Sequence, residues 1–522
     1  MMKSNPIGTR VVDGLLGHRF APSDGHALAG IVAHPVSEDL AIRDVAVHDP
    51  TSGTLQRGRS VVLRQGLVSR VLHASEPLPA GARVIDGSGR VLIPGLIDAH
   101  MHLMYDSGPD LLTRGPGLMR DWLDLTRRYP EGRDPIVRRG QFKLKSGVTT
   151  MRLLGDGYYS LAYRDDVARW DVVGPRVLSA GLHVNGPAGY VTAGVAARLG
   201  PADRADCALE LTSLDEIEPR LTAHIARGVD LVKIATTHGN LGFTDAAPDL
   251  PEEWVREIVR VAHEHTLLVT AHSYGTEGDW AAIHGGVDGI EHLVNVPHEL
   301  PDDMIEALVA RGIWVTPTLA GSAYSVMTML RDPDLLHTDQ NIATNVPAGV
   351  RRNLYLALRL LRLPGAARLL LHQRDPIGKL ERWYEHSLTN TAKLYHAGVK
   401  LAFGTDAPFV FGNFHPTAVL NEARALTLAG IPPGAILQMA TRGSAAALGL
   451  ADTVGTLAPG MRADCVLLDT DPGVNIEALQ HVALVIKDGR VVYQRKPETL
   501  SRLDGPNHHA ETYEGPSGPS AI

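Results

Sequence analysis

Short apolar runs alternate with longer amphipathic stretches between residues 91 and 451. The apolar runs are rich in β-branched side chains, which is typical of buried parallel strands, and stretches such as 214–227 and 251–264 have helical spacing. Eight strands are predicted in this way, at residues 95–102, 147–154, 176–180, 229–235, 267–272, 289–293, 313–318 and 400–406. Eight parallel strands with helices between them can close on themselves, so the pattern predicts an α/β fold, a (β/α)8 TIM-like barrel, rather than an open doubly wound sheet.

Two further sets of short β-type runs flank this region. The first lies between residues 41 and 85, and the second comprises residues 464–469 and 482–493. We therefore predict a small β-sandwich domain built from both chain ends, residues 33–90 with 452–496. Residues 1–32 are predicted to be an N-terminal extension. The tail 497–522 is rich in Gly, Pro, Ser and His, which predicts disorder.

The connection at 320–398 is far longer than the usual link between a strand and the next helix. It contains a Leu- and Arg-rich amphipathic segment that is interrupted at Pro364 and Gly365. We predict a helical excursion that packs on the barrel or on a neighbouring subunit. The alternative is a basic amphipathic helix that lies on a membrane surface.

The amino-acid composition limits the classes of function that this chain can have. The chain has 522 residues, 44% of them hydrophobic, which is enough for a large core. A formal net charge of -8 argues against a nucleic-acid surface, and two cysteines favour a reducing, cytoplasmic setting over a disulfide framework. No run reaches the length of a membrane-spanning helix, and residues 1–20 lack the apolar core of a secretory signal. The 24 histidines, against 5% aromatic residues, point to metal or acid–base chemistry.

Candidate metal ligands fall at the ends of the predicted strands. The run VLIPGLIDAHMHL places His100 and His102 two residues apart at the end of the first strand, so both imidazoles face one side and can hold one metal ion. Four later strands also end in titratable side chains, namely Lys233, His272, His292 and Asp406. Because the carboxyl ends of barrel strands meet at one face, these residues should lie together.

Lys233 is unusual in this set because its strand, VDLVKIAT, is otherwise largely apolar. Burying a lysine is costly unless its charge is paired or removed. One interpretation is a buried ion pair. The other is a carbamate, formed by reaction of the amine with carbon dioxide, which as an anion can bridge two metal ions.

An ordered series of motifs resembles the amidohydrolase superfamily. The series includes PGLIDAHMH, SGVTTMR, VKIATT, VTAHSYG, DGIEHLV and FGTDAP, within a resemblance that covers about residues 40 to 495. It is closest in character to the binuclear-metal members of the imidazolonepropionase-like and Xaa-Pro dipeptidase-like groups. The resemblance implies one divalent metal ion on His100, His102 and Asp406, a second on His272 and His292, and N-carboxylated Lys233 bridging the two. Zinc is the expected metal, with manganese, iron or cobalt as alternatives.

The same resemblance implies the reaction. Two metal ions would activate water and polarise a scissile carbonyl, and Asp406 would pass a proton to the leaving amine. The expected substrate is a small molecule or peptide with an amide bond, such as a dipeptide or an N-acyl amino acid, and the expected assembly is a homo-oligomer. Alternatives are hydrolysis of a lactone, carbamate or phosphotriester, tailoring of a peptide natural product, and a non-catalytic scaffold.

Four residues in predicted loops or strand ends are candidate substrate contacts: His183, Tyr190, His238 and Tyr274. Tyr190 stands near the place where the resembling enzymes have a histidine. The chain also has Arg152-Leu153 where an arginine-aspartate pair is more usual. The first departure affects a loop that would contact the substrate.

Overall fold

The computed structural model describes residues 28–104, 127–129, 131, 133–195, 200–238, 248–363, 365, 375–410 and 412–496. The predicted tail 497–522 and most of the predicted extension 1–32 lie outside these residues. The strands are β1 (Leu40–Asp49), β2 (Thr54–Arg64), β3 (Leu67–His73), β4 (Arg83–Asp86), β5 (Val91–Pro94), β6 (Leu96–Met101), β7 (Val148–Leu153), β8 (Arg176–Ser179), β9 (His183–Asn185), β10 (Ala208–Glu210), β11 (Val232–Ala235), β12 (Val269–His272), β13 (Gly289–Glu291), β14 (Trp314–Thr316), β15 (Lys400–Leu401), β16 (Cys465–Leu468), β17 (Val482–Lys487) and β18 (Arg490–Gln494).

Helices alternate with the strands of the central region. The α-helices are Asp134–Lys145, Tyr159–Ala168, Pro201–Ala205, Ile217–Ile225, Glu252–Glu264, Thr276–Gly285, Asp302–Arg311, Ser325–Arg331, Leu335–Thr338, Gln340–Asn345, Ala348–Leu361, Pro376–His396, Ala418–Leu428, Pro433–Gln438 and Ser444–Ala447. The predicted helix at 214–227 begins with a 3-10 turn, Leu214–Glu216, and the one at 251–264 starts one residue later because Pro251 caps it in an extended conformation.

The strands of the central region pair in parallel. One sheet has the order β6-β7-β8, and another has the order β10-β9-β11-β12-β13-β14-β15. The third predicted strand is divided between them: β8 pairs with β7, the chain turns at Gly181 (φ 63°), and β9 pairs with β11. The fold is therefore α/β, with parallel sheets covered by helices.

The first and last predicted strands also meet. Ala99 N donates to Phe403 O at 2.8 Å, and Asp406 N donates to His100 O at 2.7 Å. The regular strand β15 is shorter than the predicted 400–406, but the residues after it continue this pairing. Backbone contacts thus run through all eight predicted strand regions, an arrangement consistent with the predicted barrel.

The two ends of the described chain share a third, mixed sheet. Its order is β18-β17-β16-β5-β1-β2-β3, with β4 paired to β1. β5 lies antiparallel to β16 and leads through Gly95 directly into β6, the first strand of the central region. A Cβ on Gly95 would approach Thr149 Oγ1 to 2.0 Å, so this junction requires glycine. The strands form one sheet by their pairings, and the sandwich arrangement and domain limits stay predictions.

The connection at 320–398 is helical where it is described. Its helices share an apolar cluster that includes Met327, Leu354, Leu358 and Trp383, and Phe414 from the segment after β15 joins the same cluster. The amphipathic helix ends at Leu361, and Pro364 lies outside the described residues. Among the parts of the chain that the structure describes, no helix combines the length and the apolar character that crossing a bilayer demands.

Candidate metal centre

A pocket opens at the carboxyl ends of the parallel strands. All six predicted metal ligands line it, namely His100, His102, Lys233, His272, His292 and Asp406. The rest of its described lining consists of Met104, Leu154, Gly155, His183, Tyr190, Val191, Cys207 and Phe409. Residues more than 300 positions apart in the sequence therefore meet in one space, as expected from strands that end at the same face.

His100 and His102 present the same ring nitrogen to this pocket. His100 Nδ1 lies 2.8 Å from Glu291 Oε2, and His102 Nδ1 lies 2.7 Å from Asp156 Oδ1. A carboxylate only accepts, so we assign the ring proton to Nδ1 in both residues. Each Nε2 then faces Asp406 Oδ1, at 3.5 Å from His100 and 3.2 Å from His102. An unprotonated Nε2 is the form that binds a metal ion.

Glu291 connects His100 to two neighbouring strands. Its Oε1 accepts hydrogen bonds from Arg152 Nη2 and Thr270 Oγ1, both at 2.6 Å, and Arg152 Nε donates to Ala99 O at 2.6 Å. Burial alone would raise the pKa of Glu291, but Arg152 and Lys233 outweigh burial and lower it. Glu291 is therefore an ionised acceptor that orients the His100 ring.

Asp156 plays the corresponding part for His102. Its Oδ2 accepts hydrogen bonds from Leu103 N at 2.6 Å and Tyr159 Oη at 3.0 Å. Burial opposes the charged imidazolium, but Asp156 and Asp406 raise the pKa of His102 to about 9, so this ring must release its Nε2 proton when it binds a metal ion. Neither Asp156 nor Glu291 was predicted as a site residue. The signal in the sequence is an acidic residue beside or within an apolar strand end, in LLGD and GIEH.

His292 and Asp406 reach the pocket through unusual backbone conformations. Both have positive φ, 71° and 47°, as does Thr318 at 52°. His292 Nδ1 lies 2.7 Å from Thr318 Oγ1, and that hydroxyl donates to Pro317 O at 2.8 Å. The hydroxyl therefore accepts from Nδ1, which leaves the other nitrogen of His292 unprotonated. Positive φ in residues other than glycine is costly and clusters at functional sites.

Several buried polar atoms in the pocket have no hydrogen-bond partner in the described chain. Lys233 Nζ and His272 Nε2 have none, and Asp406 Oδ1 makes no hydrogen bond of good geometry. Burial lowers the pKa of Lys233 to about 7, although Glu291 and Asp406 oppose that shift. A large share of this amine is thus neutral near pH 7, and the neutral amine is the form that can react with carbon dioxide. Among the described residues Lys233 forms no direct ion pair, so the structure does not support the alternative interpretation of a buried ion pair.

The donor set fits a metal ion. Ligand atoms of His100, His292 and Asp406 lie within 4.8 Å of one another, and all three residues are buried. Imidazole nitrogen and carboxylate oxygen suit zinc and its neighbours among the divalent transition metals. The unpartnered atoms of Lys233 and His272 extend this donor set across two further strands.

Two of the four predicted substrate contacts, His183 and Tyr190, line the pocket, and a third, Tyr274, stacks on a histidine that lines it. The Tyr190 ring stacks on His272 with centroids 3.9 Å apart, and the Tyr274 ring stacks on His292 at 5.0 Å. His183 lines the pocket beside this stacked pair, with its ring centroid 5.5 Å from that of Tyr190 and 6.0 Å from that of His272. His238 is half-buried and is not among the described lining residues.

Asp249 holds the loop that carries Tyr190. Its carboxylate accepts hydrogen bonds from Gly186 N at 2.7 Å and Tyr190 N at 2.6 Å, and Asp249 N donates to Thr236 O. Any side chain at Gly189 would meet this carboxylate, since a Cβ there would lie 2.4 Å from Oδ2. Asp249 therefore fastens the loop after β9 to the segment after β11, and the stacking of Tyr190 on His272 follows from that contact.

Comparison with known proteins places the chain among hydrolases. An ochratoxinase from Aspergillus niger is 25% identical over 471 residues, which cover 85% of this chain and 84% of the relative. An imidazolonepropionase from Ralstonia nicotianae is 27% identical over 473 residues, 83% of this chain and 92% of the relative. The crystal structure of a Xaa-Pro dipeptidase with bound methionine is similar in fold, with a TM-score of 0.65, 23% identity, and coverage of 88% of this chain and 100% of that one.

The amidohydrolase family profile matches residues 91–492. This match includes every strand end that contributes to the pocket, and it confirms the resemblance that the motifs indicate. Similarity to the imidazolonepropionase and to the dipeptidase fold agrees with it. The chain belongs to the amidohydrolase family, which supports a hydrolase acting on carbon–nitrogen bonds.

Proposed function

We propose that this protein hydrolyses an amide bond with two divalent metal ions, in a dipeptide, an N-acyl amino acid or a similar peptide-like substrate. One metal ion would be held by His100, His102 and Asp406, and the other by His272 and His292. Lys233 would bridge them as a carbamate, in which Nζ bonds to the carbon of carbon dioxide and loses one proton. When bound, such a pair of ions supplies Lewis acidity and activates water.

The observation that carries this proposal is the convergence of unpartnered ligand atoms. Lys233 Nζ and His272 Nε2 are buried without hydrogen bonds in the described chain, and they face the same pocket as the group formed by His100, His292 and Asp406. An unsatisfied buried polar atom costs about 1 to 3 kcal/mol. A set of such atoms on adjacent strands is therefore better explained by bound ions than by a structural role.

The proposed roles follow from the positions of the side chains. Glu291 and Asp156 orient the two histidines of the first strand. Asp406 Oδ1 lies between the Nε2 atoms of those histidines, where it can accept a proton from the attacking water and transfer it to the leaving amine. Tyr190 and Tyr274 cover the His272 and His292 rings and restrict the space beside them.

The proposal is tested by measuring amine release from a panel of dipeptides and N-acyl amino acids. The protein is supplied with zinc and bicarbonate, and a lactone and a phosphotriester are assayed in parallel. Lys233→Ala and Asp406→Ala should lose nearly all turnover and bound metal. Lys400→Ala, at an exposed lysine that starts β15, is the matched control and should behave as the wild type.

Each outcome has a distinct meaning. Amide turnover that depends on Lys233 and on metal supports the proposal. Turnover of the lactone or phosphotriester alone keeps the metal centre but contradicts the amide assignment. Wild-type turnover in Lys233→Ala, or turnover by metal-free protein, contradicts the proposed centre.

A further inference from the structure

His183 is the nearest neighbour of Lys233 on the adjacent strand. β9 and β11 are parallel, and His183 stands directly opposite Lys233 in their register. Both side chains are buried and line the pocket. Residues that share a register position on neighbouring barrel strands point to the same side, so the His183 ring and the Lys233 amine face one space.

Both ring nitrogens of His183 are buried, and neither has a hydrogen-bond partner among the described residues. A neutral imidazole always carries one N–H group, and a buried donor without an acceptor is costly. The site therefore contains a hydrogen-bond donor whose acceptor is missing from the described chain.

Three adjacent strands present unpartnered atoms to the same space. These are the ring nitrogens of His183 on β9, Nζ of Lys233 on β11 and Nε2 of His272 on β12. The register pairing with Lys233 places His183 beside the group that would bridge the two metal ions, so a hydrogen bond to that group fits its position.

We propose that His183 donates a hydrogen bond to a carbamate oxygen on Lys233, an inference that rests on the proposed metal centre. The carbamate forms when neutral Nζ bonds to the carbon of carbon dioxide, an electron pair of a carbon–oxygen bond moves to oxygen, and one proton passes from the nitrogen to solvent water. The product is an anion with two acceptor oxygens on the side chain opposite His183. Donation from His183 stabilises that anion against loss of carbon dioxide, which makes His183 a positioning residue for the metal bridge.

The test measures metal loading rather than turnover. Metal-free protein is incubated with zinc in buffer depleted of carbon dioxide, and bicarbonate is then added in steps while bound zinc is counted. His183→Leu removes the donor, His183→Gln keeps an N–H donor, and His183→Met is a second non-donor of similar volume. The control is His48→Leu, at an equally buried histidine in β1 of the mixed sheet.

Loss of the donor should raise the bicarbonate concentration needed for half-loading by about 10- to 100-fold, the usual effect of removing a partner of a metal ligand. His183→Gln should recover most of that loss, and His48→Leu should match the wild type. If circular dichroism shows that His183→Leu is unfolded, His183→Met decides the question. Wild-type bicarbonate dependence in the folded non-donor variant overturns the inference, even if turnover falls, because the effect would then lie on the substrate.

The same measurements distinguish an error in the proposed metal centre from an error in this inference. If Lys233→Ala still binds two zinc ions per chain without bicarbonate, no carbamate is needed and the proposed centre is wrong. If Lys233→Ala loses metal while His183→Leu does not, the centre stands and only the role of His183 is contradicted.

Discussion

Two acidic residues determine which nitrogen each histidine of the first strand presents to the pocket. Asp156 and Glu291 hold the Nδ1 atoms of His102 and His100 at 2.7 and 2.8 Å. Leu153 follows Arg152, so the arginine-aspartate pair that the resemblance leads us to expect is absent from this position. Asp156, three residues further on, supplies a carboxylate at the site, and Arg152 contacts Glu291.

Asp156→Asn should weaken metal binding by about 10- to 100-fold, because an amide is a poorer acceptor for the His102 ring proton and fixes the ring less firmly. The measurement is zinc occupancy in competition with a chelator of known affinity. Asp165→Asn, on the exposed side of the next helix, is the control and should bind zinc as the wild type does. Equal chelator resistance in the two variants would show that Asp156 does not position His102.

Glu422 is a buried carboxyl group with one oxygen, Oε1, that has no hydrogen-bond partner in the described chain, while Oε2 accepts from Ala320 N at 2.6 Å. Burial raises its pKa to about 8, against an ordinary value of 4.5, although the backbone N–H groups of Ala320 and Leu319 oppose the shift. The folded state therefore binds the proton more tightly than the unfolded state does. Stability contributed by the protonated form is present below about pH 4.5 and is lost as the pH rises through about 8.

Glu422→Gln should remove this dependence, because the amide keeps an acceptor for Ala320 and does not ionise. Between pH 6 and pH 9 the wild type should lose on the order of 2 kcal/mol more stability than the variant. Thermal unfolding at both pH values is the measurement, with the exposed Glu306→Gln as control. Parallel loss of stability in the wild type and Glu422→Gln would contradict the assigned protonation.

At the scale of elements, a buried ion pair joins the first and last strand regions beneath the pocket. Lys143, on the helix Asp134–Lys145, donates to Asp98 Oδ2 at 2.9 Å and to Thr405 Oγ1 at 3.0 Å. Asp98 also accepts from Thr405 N at 2.9 Å. Close packing accompanies these bonds, since a Cβ on Gly404 would lie 2.5 Å from Thr316 Cγ2. This ion pair therefore holds together the first and last strand regions, which carry His100 and Asp406.

Lys143→Met should destabilise the protein by about 3 to 5 kcal/mol, because it leaves the Asp98 carboxylate buried without its cation. The free energy of unfolding or Tm measures the loss. Arg256→Ala breaks the exposed pair of Arg256 with Glu252 and should cost less than about 1 kcal/mol. A similar effect of the two substitutions would mean that Asp98 is protonated or finds another partner.

At the scale of the whole molecule, charged residues connect the mixed sheet to the central region. Arg176, at the start of β8, contacts Asp488 at 2.6 Å and Asp464 at 3.2 Å. Lys487 Nζ and Arg490 Cζ lie 4.2 and 4.4 Å from the centre of the Trp170 ring. These contacts lie at the start of β8, away from the metal centre, so they hold the two parts together without taking part in the chemistry.

Trp170→Ala should lower stability by about 2 kcal/mol, since two cations lose the aromatic face. Zinc content of the folded variant should be unchanged, because Trp170 is not among the described residues that line the pocket. Tm and bound zinc are measured together, and Trp170→Phe is the control that retains a face for the cations. Loss of zinc binding in a variant with a normal Tm would contradict the conclusion that these contacts take no part in the metal centre.

The sequence by itself determined the α/β pattern, the approximate positions of the strands and the residues at their ends. Side chains two positions apart, such as those of His100 and His102, lie on the same face of any strand, and a buried strand needs an apolar run such as VDLVKIAT. Both features can be recognised from a short stretch of sequence. The match to the amidohydrolase family agrees with that interpretation.

Only the tertiary structure decided how these residues meet. Glu291 and His292 are consecutive and would face opposite sides of an ideal strand, but positive φ at His292 lets both reach the centre. Asp156 with His102, and His183 with Lys233, are pairs made by strands that are distant in sequence. Backbone conformation at strand ends and contacts between strands depend on how the strands and helices pack together in three dimensions, which local patterns do not contain.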